Sequence, residues 1–184
     1  PRATRKETVD FILKDLEEAA VDLPEQSDLS NEDIGRITKG AANSLKAKVA
    51  LFEGTWEKFR SDANANIYLD VAIDAARTVM NSSQYSLFTG KGFQSYRYLF
   101  INEGDDSPES ILDYRYETKV NIGGYGFSAS VSEGHLLPTK KIADMYLCND
   151  GLPITKSPLF QGYDETDSEF KNRDPRMTTT IAIP

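Results

Sequence analysis

Tyr114, Arg115, Tyr116, Tyr125 and Phe127 bring four rings and one guanidinium into a short stretch that runs through the Gly-rich segment IGGYGF, residues 122 to 127. A saccharide has an apolar face of C–H groups and a rim of hydroxyls. A ring stacks under the first while a polar neighbour takes the second. These five residues, with Trp56, the chain's one Trp, are the candidate ligand contacts. The plainer reading is that the rings anchor loops and core, and that Trp56 packs the end of a helical hairpin. The Gly-Gly-x-Gly of the segment is not followed by Lys-Ser/Thr, so it is not a phosphate-binding loop.

Groups that could do catalysis are sparse. His135 is the only His, and no G-x-S-x-G elbow accompanies it, which leaves it a capping or surface role. Carboxylates cluster at Glu103, Asp105 and Asp106 and again at Asp164, Glu165 and Asp167. A glycosidase needs two of them facing across a cleft. Clusters on polar turns are ordinarily solvated, and neither follows the EF-hand spacing for calcium. In the run Asn172 to Arg176, Asp174 is expected to pair with an Arg and to organise a turn before a strand. No catalytic residue, metal or cofactor is assigned.

The elements that must position the candidate residues begin with helices. Over residues 4 to 23, Val9, Ile12, Leu13, Leu16, Ala19, Ala20 and Leu23 recur at spacings of three and four, and Pro24 stops the pattern. A second helix is expected from Thr38, its cap, to Gly54, its stop, with Leu45, Val49 and Phe52 on one face and Ala at neighbouring positions. A third spans residues 65 to 81 with a stripe of Tyr68, Ala72, Ala75, Ala76 and Val79. Small residues on facing helices let their axes approach closely. That is the pattern of a tetratricopeptide-type hairpin, although a connection from Thr55 to Asn64 is longer than that repeat allows. One hairpin cannot bury its own face, so other helices must pack on it.

After Tyr85 the composition turns aromatic and irregular. Phe93 to Phe100 is rich in rings, Asn102 to Pro108 is an acidic turn, and Ser110 to Tyr116 (SILDYRY) alternates as a strand. Pro138 to Tyr146 reads as a short helix capped near Thr139, with Ile142, Met145 and Tyr146 as its apolar positions. Asn149–Asp150–Gly151 is a turn and the remainder is mostly loop. The expected class is mostly α, with tetratricopeptide-like helix pairs packed with an irregular, loop-rich region carrying short strands. It is read as one domain over 1–184, with 1–88 as helical scaffold and 89–184 as the ligand side.

Totals narrow the partners. The 184 residues carry a formal net charge of -8, so no excess of Lys and Arg exists to displace counterions from nucleic acid. A chain of this length hides roughly 70% of its unfolded surface. The one Cys, Cys148, allows no internal disulfide. No apolar run reaches the ~20 residues of a transmembrane helix.

Three ordered segments resemble one family. The first is G-R-I-T-K-G-A-A-x-x-L-K-A-K-V-A-L-F with the later Y-x-x-A-I-D-A-A-R-x-V-M-x-S-x-x-Y-S-L-F. The second is S-P-E-S-I-L-D-Y-R-Y. The third is L-P-T-K-K-I-A-D-M-Y-L-C-N-D-G-L-P-I, with N-R-D-P-R-M about twenty residues on. Together they look like the SusD/RagB family of nutrient-binding outer-membrane lipoproteins. The resemblance implies tetratricopeptide-like helix pairs beside an irregular ligand-binding part, and glycan binding without catalysis. It also implies a SusC-like TonB-dependent transporter as partner and a lipid anchor on an N-terminal Cys that Cys148 is not. On that reading the chain is an internal fragment. Two other readings stay open: a helical-repeat module that binds a protein, and a glycoside hydrolase.

Overall fold

The computed structural model describes residues 2–113, 133–134 and 137–181. They fall into two compact units. One comprises the described residues within Pro1–Phe88 and Gly104–Arg115, the other those within Thr89–Glu103 and Tyr116–Pro184.

The first unit is built on three helices, α1 (Arg5–Asp22), α2 (Lys39–Lys58) and α3 (Ala65–Asn81). Thr4 starts α1 with a reciprocal cap. Its Oγ1 accepts from the Glu7 N–H at 3.2 Å, and the Glu7 carboxylate accepts from the Thr4 N–H at 2.7 Å. Leu23 already has extended backbone ahead of Pro24, and the helix ends there. Fully buried Thr38 caps α2 by accepting from the Ala41 N–H.

The core of this unit is Leu13, Ala50, Tyr68 and Ala72, with Val9, Val49 and Val71 packed around it. On α2 the inward positions are the small and polar ones, Ala42, Ala50, Glu53, Gly54 and Glu57. Leu45 and Phe52, expected inward from their spacing, are 50% and 63% exposed. The close approach to α3 selects residues without bulk, which rotates the packed face away from the most hydrophobic one.

Gly54 is not the stop expected of it. The helix runs on for another turn to Lys58. A Cβ on Gly54 would lie 2.8 Å from Leu69 Cγ and 2.9 Å from both Leu69 Cδ2 and the Leu69 backbone N. The residue is therefore a contact point between helices, which only hydrogen fits. Gly40 plays the same part for Tyr85, whose hydroxyl would lie 2.1 Å from an added Cβ. The connection to α3 shortens accordingly to residues 59–64, with Ser61 at φ 59° making the reversal. That length suits a tetratricopeptide-type pair.

Two carboxylates of α2, Glu53 and Glu57, are buried in this unit. Arg5 grips the 2%-exposed Glu53 through three contacts, Nε to Oε1 and to Oε2 at 2.9 Å each and Nη2 to Oε2 at 2.6 Å. Tyr68 donates to Asp10 at 2.7 Å, and burial, reinforced by that carboxylate, pushes its phenol up to about 12. Glu57 is also buried, and its Oε2 has no hydrogen-bond partner. Burial, then the neighbouring Glu53 and Asp62, raise its carboxyl above the ordinary range.

The second unit is held by short elements: α4 (Ser95–Leu99), α5 (Lys140–Met145) and α6 (Pro175–Thr180). Thr139 caps α5, as its sequence predicts. The inward residue of α5 is Ala143, however, while Ile142 and Met145 are 48% and 70% exposed. Ala143, Met177 and Ile181 form the core, flanked by Tyr146 and Phe170.

Asp174 does pair with an Arg, Arg176, but it opens a helix rather than preceding a strand. Its carboxylate accepts from the Arg176 N–H, and Pro175 takes the first helical position, where no N–H is needed. Arg173, 4% exposed, donates to the carbonyls of Glu169, Ala143 and Tyr146 at 2.6, 2.7 and 2.9 Å. Two of these lie at the end of α5, where the helix leaves carbonyls without partners. Among the described residues the sole β-pairing is an isolated antiparallel bridge between Cys148 and Arg173. Residues 110–113 of the expected strand form a bend, with Ser110 donating to Asp113 at 3.0 Å. The rest of that strand lies outside the described residues.

Candidate functional site

Of the six ligand candidates, Tyr114, Arg115, Tyr116, Tyr125 and Phe127 lie outside the described residues, as does His135. Trp56 is placed. It sits inside α2 rather than beyond the hairpin, at 36% exposure. Its ring stacks on Phe52 with centroids 6.3 Å apart, and the guanidiniums of Arg5 and Arg60 lie 4.2 and 3.4 Å from its centre. A sugar stacking on Trp56 would compete with those cations for the same ring.

The acidic clusters form no metal site among the described residues. Asp167 pairs with Lys171 at 3.0 Å, and the Glu165 backbone is tied to the Ser168 hydroxyl.

A second arrangement of rings and polar groups occurs in the second unit, around Tyr96. Gly92, at φ 54°, starts the turn into α4. Ser95 locks that turn by donating to the Gly92 carbonyl at 2.7 Å and accepting from the Lys91 N–H at 3.1 Å. On α6 the Asp174 cap and fully buried Met177 fix the helix, so that Thr178–Thr180 are displayed on its exposed last turn. Between α4 and α6 lies a hollow of about 550 Å³ lined by Tyr96, Arg97, Phe100, Ile101 and Thr178–Thr180. Tyr96 also borders a smaller hollow of about 280 Å³ beside Tyr146, Met145 and the Asp174–Arg176 pair.

The charges here are unequal. Hydrogen bonds from Arg176 hold the Asp174 carboxyl below its ordinary range, and each charge neutralises the other. Arg97 pairs with no carboxylate among the described residues. Tyr96 and Phe100 meet edge to face at 5.1 Å and 71°, and Phe100 is 69% exposed. Sequence reasoning noted the ring-rich segment and the Asp174 pairing but did not single out Tyr96, Arg97 or Thr178–Thr180. The four-residue step from Tyr96 to Phe100, which places both rings on one helical face, was the available signal.

The first unit has an open groove of different character. Ala47, Leu51, Leu69, Ala72, Ile73 and Ala76, from α2 and α3, line about 510 Å³ with Lys48 at the edge. Lys48 is the one polar side chain along it. No helix among the described residues is long and apolar enough to cross a membrane.

No family model matches the chain, and no curated protein matches it. Solved structures do. A SusD-like protein from Bacteroides fragilis superposes over 97% of this chain with 26% identity and a TM-score of 0.67. A SusD-like carbohydrate binding protein from the same species superposes over 96% with 19% identity and a TM-score of 0.71. The chain spans about a third of the length of each, 34% and 31%.

Proposed function

We propose that this chain, SusD-like in fold across its length, binds glycan nutrients at the cell surface and delivers them to a SusC-like TonB-dependent outer-membrane transporter. The observation that carries the reading is the superposition on SusD-like structures over nearly the whole chain, one of them a carbohydrate binding protein. On this reading the protein is a lipid-anchored lipoprotein of the outer membrane that holds its ligand without turning it over. The helices of the first unit are its frame. Tyr114, Arg115, Tyr116, Tyr125 and Phe127 are proposed ligand contacts, with Trp56 the weakest because its ring already carries two guanidiniums.

Shallow, ring-driven binding of this kind falls in the micromolar-to-millimolar range, about -4 to -8 kcal/mol. Calorimetric titration against a saccharide panel tests it. Saturable binding of a saccharide with no reducing-sugar release is the expected result. Failure to bind any saccharide, together with tight binding to a peptide, rejects it. That second outcome is what a helical-repeat module with a protein partner would give, and the apolar groove of α2 and α3 is the observation that favours it. Reducing-sugar release would instead revive the hydrolase reading.

A further inference from the structure

Building on the glycan reading above, we infer that the hollow between α4 and α6 is a saccharide subsite that takes an uncharged sugar unit. The argument starts from which hydrogen bonds remain available. Each Thr hydroxyl has a single proton to donate. Thr178 donates its proton to the Pro175 carbonyl, and Thr179 and Thr180 donate theirs to the Arg176 carbonyl, all at 2.9 Å. While those bonds are kept, the three hydroxyl oxygens are acceptors only. Arg97 shares the same hollow and is a donor only, with no carboxylate partner among the described residues.

A ligand group that meets both must donate and accept. A pair of sugar hydroxyls does both. A carboxylate, sulfate or phosphate would satisfy Arg97, but the threonines could donate to it only by giving up their bonds to the helix carbonyls. An ammonium would satisfy the threonines but repel Arg97. The formal charge of -8 also acts against anionic chains.

The apolar half of the match is present as well. Phe100 leaves most of its ring uncovered beside Tyr96, which suits the C–H face of a pyranose. The volume of about 550 Å³ lies within the roughly 300–1,000 Å³ of ligand pockets. The nearby cation, Arg176, is neutralised by Asp174, so it adds no net charge that would draw an anion.

The test is calorimetry on the full chain with glucose, xylose and mannose hexasaccharides, a galacturonic-acid hexasaccharide and a glucosamine hexasaccharide as probes. At least one neutral hexasaccharide should bind, and more tightly than either charged one. Phe100→Ala, Arg97→Gln and Thr179→Val should each weaken it about tenfold or more, with unchanged circular dichroism and melting temperature. All three positions are exposed, so folding should survive. If neutral binding persists undiminished in these variants but is lost in Tyr125→Ala or Phe127→Ala, the subsite is overturned and the glycan reading stands. Tighter binding of the galacturonic-acid probe, lost in Arg97→Gln, overturns the uncharged assignment. If none of the five probes binds, the subsite falls together with the glycan reading.

Discussion

Adding one methyl group at Gly54 should loosen the pairing of α2 with α3. In a helix interior, Gly→Ala is ordinarily stabilising by about 1 kcal/mol. Here the new Cβ would stand 2.8 to 2.9 Å from three atoms of Leu69, against the roughly 3.5–4.0 Å at which carbon atoms attract. Two of those atoms belong to a side chain that can turn. The third is the backbone N of α3, which moves only if the helices separate. Separation would also strip contacts from Ala50, Tyr68 and Ala72. Overpacking of this kind costs about 1–3 kcal/mol, so after the helix-propensity gain Gly54→Ala should be net destabilising by up to about 2 kcal/mol, with a melting temperature lower by up to about 8 °C for a chain of this size.

The single Trp reports on this unit, because Trp56 lies one turn or less from the contact. Urea unfolding followed by its fluorescence is therefore the assay. Leu69→Ala removes two of the three clashing atoms, so Gly54→Ala should cost at least about 0.5 kcal/mol less in that background. A Gly54→Ala protein as stable as the parent, or more so, would refute the close-approach account and restore Gly54 to the role of an ordinary helix glycine.

Met177→Ala should destabilise the second unit by about 2–5 kcal/mol, since the side chain is fully buried at its core; thermal unfolding by circular dichroism measures it. Asp174→Ala should cost about 1 kcal/mol through loss of the α6 cap, whereas Asp174→Asn keeps the cap and removes the charge. The Asp174 carboxyl is held below its ordinary range, so its pairing with Arg176 stabilises the fold above that range and is lost as the pH falls through it. Asp174→Asn should flatten the acid limb of a stability–pH profile. Glu57 runs the other way. Its carboxyl is raised, the native state binds the proton more readily, and stability falls as the pH rises from the ordinary carboxylate range through the raised value. Glu57→Gln should therefore raise the melting temperature at neutral pH and remove that slope.

The helices were legible because local signals and packing agree in them. Thr38, Pro24 and Thr139 are caps and stops whose chemistry is contained in a few adjacent residues. The bounds of α3 coincide with the expectation. The inward face of α2 was not legible, because hydrophobic spacing favoured Leu45 and Phe52 while contact distance favoured Ala50 and Gly54. Gly54 itself carries two meanings, stop and close approach, and only the position of Leu69 distinguishes them. The helix at Pro175 was missed although Asp174–Pro175 is a start signal, because Asp174 was read for its charge and not for its place before a proline. The rings chosen from IGGYGF and SILDYRY followed ligand chemistry alone. The hollow at Tyr96 depends on α6 meeting α4, a juxtaposition of residues some eighty positions apart that no local pattern encodes.

Arg173 bears on how the second unit tolerates change. One permanently charged group clasps the two ends of the long excursion that leaves α5 and returns just before α6, and it does so through main-chain oxygens, which every residue type supplies. The clasp is indifferent to the identity of the residues whose oxygens it holds. Substitutions at the outward positions of that excursion therefore leave this clasp in place.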